Sequence, residues 1–208
     1  MIKLNFLDTE TTGLDSSSCG IWSLSGVLAE LDEDAKVIHL KDSYDLYMRP
    51  FEGAKVDSKA LKVGGISLED FEEFEDQKVI FARYKKLLKQ YVDPYDKKDK
   101  YNFLAYNSPF DNSFMRSWWF RNHDKYFGSY FWTPDICIMR QAAQYLIRRR
   151  IELPNFKLAT VAEFLGFNIE DTKLHSSMYD NELALYIYAT INGYIIEGEC
   201  NGITSRHS

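Results

Sequence analysis

The stretch Phe6-Leu7-Asp8-Thr9-Glu10-Thr11-Thr12-Gly13-Leu14 (FLDTETTGL, residues 6–14) closes an apolar run that starts at Ile2. Ile2 to Leu7 reads as a buried strand, followed by a break at Gly13. Two acids at the end of such a strand need a reason. Strand residues i and i+2 point to one face, so Asp8 and Glu10 project together if the strand reaches them. Paired carboxylates repel, and one takes up a proton unless a cation neutralises them. Carboxylate oxygens are the preferred ligands of Mg²⁺ and Mn²⁺. The competing reading is a loop that begins at Asp8 with both acids solvated, and the acid pair alone favours it. Thr11, Thr12 and Gly13 shift the balance, because they read as a turn whose backbone N–H groups face an anion.

Around this stretch lies a chain of 208 residues, 45% hydrophobic and 15% aromatic, which suits one domain with a real core and excludes a disordered segment. The aromatic content serves either a thick core or stacking surfaces. A net charge of −6 excludes a protein that holds nucleic acid by overall charge, but leaves room for a local patch with metal ions. Cys19, Cys137 and Cys200 are far apart and in no CxxC arrangement. They argue against a disulfide framework or structural zinc and fit a reducing compartment. There is no apolar segment after a basic start and no run of 18 apolar residues, so a cytoplasmic protein without a membrane span is expected.

Ile21 to Leu31 reads as a central strand, and the acidic turn Asp32-Glu33-Asp34 leads into a third. There Ile38, Leu40, Tyr44, Leu46 and Met48 share one parity and are expected on one face. Ser58 onward reads as a short helix, a Gly-Gly break and a capping box between Ser67 and Asp70. Ile80, Tyr84, Leu87, Leu88 and Tyr91 recur at helical spacing. Tyr101 to Tyr106 is a fourth strand. Ser108-Pro109 and Thr133-Pro134 each read as an N-cap before a proline opening a helix. Further helices cover about Lys157 to Leu165 and about Ser177 to Ile191. Strands followed by alternating strands and helices give a mixed α/β sheet flanked by helices, in one domain over residues 1–192 with a short tail at 193–208.

Taken singly, the remaining charged residues have plain explanations. Asp111 in AYNSPFDNSFM falls in the first turn of a helix, where an acid favours the dipole, and Asp135 reads the same way. His175 precedes the last helix and Asp180 lies in its first turn. Arg148-Arg149-Arg150 reads as a solvated helix end, with a phosphate-contacting patch as the minority reading.

Taken together, FLDTETTGL, AYNSPFDNSFM and HSSMYDNELA resemble, in order and spacing, the three motifs of the DnaQ-like 3′–5′ exonucleases, the DEDD branch with a histidine in its third motif. VGGISLEDF and LATVAEFLGF resemble family segments between them, so the similarity covers roughly residues 2–192. Trp22, Ser23, Ser176, Ser177 and Asn181 depart from the usual pattern without removing a ligand or base. The resemblance implies a ribonuclease H-like fold and removal of nucleoside 5′-monophosphates from a nucleic acid 3′ end. DNA, single-stranded, is the favoured substrate, with a polymerase or replication protein as a partner. RNA or short oligonucleotides are the alternative within the class, and a catalytically idle binding module the alternative outside it. By the same resemblance Asp8, Glu10, Asp111 and Asp180 hold two divalent ions, Mg²⁺ or Mn²⁺, and His175 is the general base. Thr11, Thr12, Gly13, Leu14 and Asn107 grip the terminal nucleotide.

Overall fold

The computed structural model describes residues 1–169, 177–200 and 203–204. Strands β1 (Ile2–Thr11), β2 (Ile21–Asp32) and β3 (Val37–Arg49) form an antiparallel meander. Helices α1 (Ser58–Gly64) and α2 (Asp70–Glu73) follow, then the two-residue β4 (Glu75–Asp76) and α3 (Gln77–Leu88). Next come β5 (Asn102–Ala105), α4 (Ser108–Arg121), β6 (Ile136–Cys137) and α5 (Ile138–Tyr145). Helices α6 (Leu158–Phe164) and α7 (Ser177–Asn192) follow, with β7 (Ile195–Glu197) after them. The short β8 (Glu199–Cys200) and β9 (Ile203–Thr204) pair with each other. The main sheet runs β4-β3-β2-β1-β5-β6, and β7 adds to β3. Because β5 and β6 run parallel to β1, the chain leaves all three strands at one end of the sheet. That is the end where Asp8 and Glu10 lie.

Two cores enclose the sheet. On one face Leu4 and Phe6 of β1 pack with Ile138, Ala142, Val161, Leu183 and Ile187 from α5, α6 and α7. On the other face Leu7 packs with Tyr84 of α3 and Phe114, Trp118 and Trp119 of α4. Trp119 meets Phe81, Trp118 and Phe127 edge-to-face at 4.8–5.8 Å, so much of the aromatic surplus is core.

The sheet departs from simple alternation at one place. Leu28 pairs with Asp42 and Ala29 with Leu40, leaving Lys41 as an extra residue in β3. An extra residue flips every later side chain to the opposite face. Ile38 and Leu40 therefore join the α5–α7 core, whereas Tyr44 and Met48 join the α3–α4 core, and the single face expected from their parity is corrected.

The two proline-led helix starts also need correction. At the first, Asn107 occupies the cap position and Ser108 is already helical; its hydroxyl donates to the Asp135 carboxylate from across the sheet end instead of capping. At the second, Ile136 and Cys137 pair with Leu104 and Ala105 as β6, and the helix begins only at Ile138.

Candidate active site

β1 does not stop at Leu7. Thr9 lies opposite Leu24, Glu10 opposite Ser23, and the ladder continues to Thr11. Asp8 and Glu10 therefore share the face that carries Phe6 and packs on α7. Trp22 is the extra residue of a bulge beside Glu10, where Thr11 pairs with Ile21. Gly64 accommodates it, since a Cβ there would stand 2.6 Å from the indole.

Asp111 reaches the site from the first turn of α4 and is buried. Its Oδ1 accepts from the backbone N–H of Thr9 at 3.0 Å and from the Thr9 hydroxyl at 2.8 Å. Those two bonds tie the carboxyl to Thr9, the residue between Asp8 and Glu10 in sequence, and leave Oδ2 outside the pair. Asp180 enters from the first turn of α7. The four acids thus come from three elements at one end of the sheet. His175 lies outside the described residues.

Electrostatics show how close the acids are. Burial first, and then Asp111, Glu10 and Asp180, push the Asp8 carboxyl well above its usual range. Burial, Asp180 and Asp111 raise Glu10 to about 7. Asp111 is also raised to about 7, chiefly by burial against the opposing pull of the Thr9 bonds, with Asp135 adding to the rise. Among the described residues, the charged neighbours that set these three values are all acids. Among the described residues no three such side chains converge on a single caging point. An all-oxygen donor set of acids that repel one another fits a hard divalent ion.

Three of the departures from the family pattern, Ser23, Ser177 and Asn181, lie together beside the acids, and Ser176 lies outside the described residues. Asn181 Nδ2 donates to Ser25 Oγ at 2.7 Å and to the Ser177 carbonyl at 2.9 Å, and the Ser23 and Ser177 hydroxyls are 3.2 Å apart. Ser25 and Ser23 are the β2 partners of Asp8 and Glu10. The small polar residues form one buried network that ties α7 to β2 and so sets where Asp180 enters. Nothing in the residues taken one at a time signals this role, nor that of Thr9.

Two clefts meet at Glu10. One, of about 320 Å³, is lined by Glu10, Thr11, Gly13, Leu14, Val63 and Phe110; the other, of about 310 Å³, includes Trp22, Ser23, Tyr47 and Phe74. Leu14 stands 85% exposed at the rim of the first. Thr12 is different: it is fully buried, its N–H donates to Gly20 O and its hydroxyl to Lys55 O. The expectation that its N–H faces an anion is corrected, because the fold itself uses both donors. Asn107 is exposed at the cap of α4, outside the first cleft.

The model of the RNase_T family, described as "Exonuclease", matches residues 6–188 and so spans every motif above. The chain belongs to the RNase_T exonuclease family. No curated protein matches it in sequence. Its fold is similar to that of a solved exonuclease I, with a TM-score of 0.72 at 19% identity over 93% of this chain and 41% of the other. E. coli exonuclease I in complex with a dA13 oligonucleotide gives 0.69 at 18% identity, over 93% and 41%. Exonuclease I from the moderate thermophile Methylocaldum szegediense gives 0.71 at 17%, again over 93% and 41%. The RNase_T chain thus spans about two-fifths of the length of these structures. Among the described residues, no helix is long and apolar enough to cross a membrane.

Proposed function

We propose that the chain is a metal-dependent 3′–5′ exonuclease that releases nucleoside 5′-monophosphates from single-stranded DNA. The observation that carries this reading is the meeting of Asp8, Glu10, Asp111 and Asp180, acids that raise one another's proton affinity, in a chain of the RNase_T exonuclease family. The fold likeness to exonuclease I bound to oligonucleotides supports DNA as the substrate.

Asp8, Glu10 and Asp180 would hold one divalent ion, and Asp8 with Asp111 a second. Such ions, Mg²⁺ or Mn²⁺, neutralise the phosphate and acidify water at the scissile bond. The protein supplies the rest. Thr9 orients Asp111. The Ser23–Ser177–Asn181–Ser25 network holds α7 against β2. Leu14 and Phe110 offer apolar surface to the terminal base beside Glu10. His175 takes the proton of the attacking water, so the new P–O bond forms as the bond to the 3′ oxygen of the remaining strand breaks.

The test is a gel time course on 3′- and 5′-labelled DNA and RNA strands of one sequence, with Mg²⁺, Mn²⁺ or EDTA. A metal-dependent ladder shortening from the 3′ end, faster on DNA, is expected. Shortening from the 5′ end, or undiminished cleavage in EDTA, would sink the proposal.

A second result bears on Thr9. Thr9→Val removes the hydroxyl donor to Asp111 and keeps the backbone one. Partners that orient a metal ligand are worth roughly 10–100-fold in activity. A loss of that size in kcat, with an unchanged thermal melt, is expected.

A further inference from the structure

The arginine run that the motifs leave unused lies on the same side of the molecule as the acids. α5 packs on the face of the sheet that carries Asp8 and Glu10, and a 3₁₀ turn, Ile147–Glu152, follows it. Leu146 and Leu153 are buried at the two ends of the turn and pin it, so Ile147 to Glu152 all point outward. The chain then returns to the sheet end: the Tyr106 hydroxyl donates to the Phe156 carbonyl at 2.9 Å. Tyr106 leaves β5 level with Asp8 on the neighbouring strand and directly precedes Asn107.

The side chains there are set for a polyanion. Arg150 stacks over the Phe156 ring at 4.8 Å, and Arg149 over Phe164 at 4.3 Å. Arg149 is committed to Glu152 at 2.9 Å. Among the described residues, Arg148, Arg150 and Lys157 have no acidic partner, and all three are exposed. A guanidinium stacked on a ring keeps its fork free for a phosphate. Exposed Tyr145, Ile147 and Ile151 alternate with the charges, as in surfaces that stack bases while tracking a backbone. Residues 140–157 hold five basic side chains and one acid within a protein of net charge −6. The opposite edge of the sheet is the reverse: residues 69–76, around β4, hold six acids and no base. A strand with its 3′ end at the carboxylates is repelled from the β4 edge and attracted toward β5 and β6.

We infer that Arg148, Arg150 and Lys157 form a phosphate-binding rail for the single strand leading to the carboxylate site. The inference rests on the nuclease reading and adds the path of the substrate. A helix end that merely answers its dipole would explain basic residues there. It would not explain their position between Phe156 and the exposed apolar side chains.

The experiment compares two substrates in Mg²⁺: a 20-nucleotide oligothymidylate, and thymidine 5′-(p-nitrophenyl phosphate), which has no upstream strand. The variant Arg148→Gln/Arg150→Gln/Lys157→Gln should raise KM for the 20-mer roughly 10–100-fold at about 50 mM salt and lower the salt slope by about 2, while hydrolysing the ester like wild type. Arg148→Lys/Arg150→Lys should keep the 20-mer KM within a few fold of wild type. Lys89→Gln/Lys97→Gln/Lys98→Gln, in the segment that meets Lys3 at the far end of β1, should change neither substrate. An unchanged KM and salt slope in the Gln triple variant would overturn the rail and leave the strip as a face for a protein partner. An equal loss on the ester would overturn it too, as damage to the site. Wild type cleaving neither substrate would instead fail the nuclease reading itself.

Discussion

Asp8→Asn should lower metal-dependent degradation by on the order of 10³-fold or more while raising the melting temperature of the metal-free protein. The two effects have one cause. Asp8 is the acid that Asp111, Glu10 and Asp180 all act upon, and its carboxyl is held far above its usual range by burial and by those neighbours. In the proposed two-ion site its negative charge would be shared by both ions. A Lewis acid worth several kcal/mol of transition-state stabilisation is lost with it, and every 1.36 kcal/mol is tenfold in rate. Without ions the same charge opposes folding, because it is desolvated and faces like charges. An amide of the same shape removes the repulsion, and each kcal/mol so recovered raises the melting temperature by about 3 °C in a chain of this size. Kinetics on an oligonucleotide and thermal melts in EDTA measure both. Loss of activity together with a lower melting temperature would show a residue needed for the fold instead of the chemistry.

The convergence of the four acids was more legible than the sheet that holds them. Asp8, Glu10, Asp111 and Asp180 occur in three separated motifs, and the structure brings all four to one end of β1. The reason is that these acids ride on a strand end and on first helical turns, positions that turn and cap residues mark in sequence. What escaped were features that depend on partners far along the chain. The Lys41 bulge follows from pairing between β2 and β3, and parity within one strand does not contain it. Ser108 was legible as a cap by its neighbour Pro109, yet Asp135, 27 residues later, takes its hydroxyl. Thr12 looked like an anion-facing donor because the loop through Gly20 and Lys55 that consumes its N–H and hydroxyl closes only in three dimensions.

Chain departures tell the same story from the other side. Ser23 lies 154 residues before Ser177, and Asn181 one helical turn after it, and each was an isolated oddity in the sequence. In the fold they are one hydrogen-bonded unit with Ser25, and Trp22 has its complement in Gly64. A buried polar network of this kind is stable when every member is satisfied, so its members depend on one another.

The metal-free protein should lose stability as pH rises from about 5 to 8, and Mg²⁺ should abolish that loss. Glu10 titrates at about 7 in the folded protein against 4.5 for a free glutamate, and Asp111 at about 7 against 3.8. Between those limits the folded state binds more protons than the unfolded one, so the stability slope with pH is negative there. A carboxyl moved from 4.5 to about 7 removes about 3 kcal/mol once pH passes its folded value. In a chain of this length that lowers the melting temperature by roughly 6–12 °C. Acids shifted the other way do not offset it in this window. Asp15 is lowered to about 2 by the Ser17 and Ser18 bonds, and Asp99 is also lowered, so what they add is complete above the ordinary aspartate range and is lost only as pH falls toward their folded values. A bound divalent ion favours the ionised carboxylates and removes the reason for the shift. Melting curves at intervals from pH 5 to 8, in EDTA and in Mg²⁺, therefore separate two slopes. Glu10→Gln should flatten the EDTA slope by its own share. A metal-free melting temperature that stays level or climbs over that range would mean that the acids do not repel one another as the geometry requires.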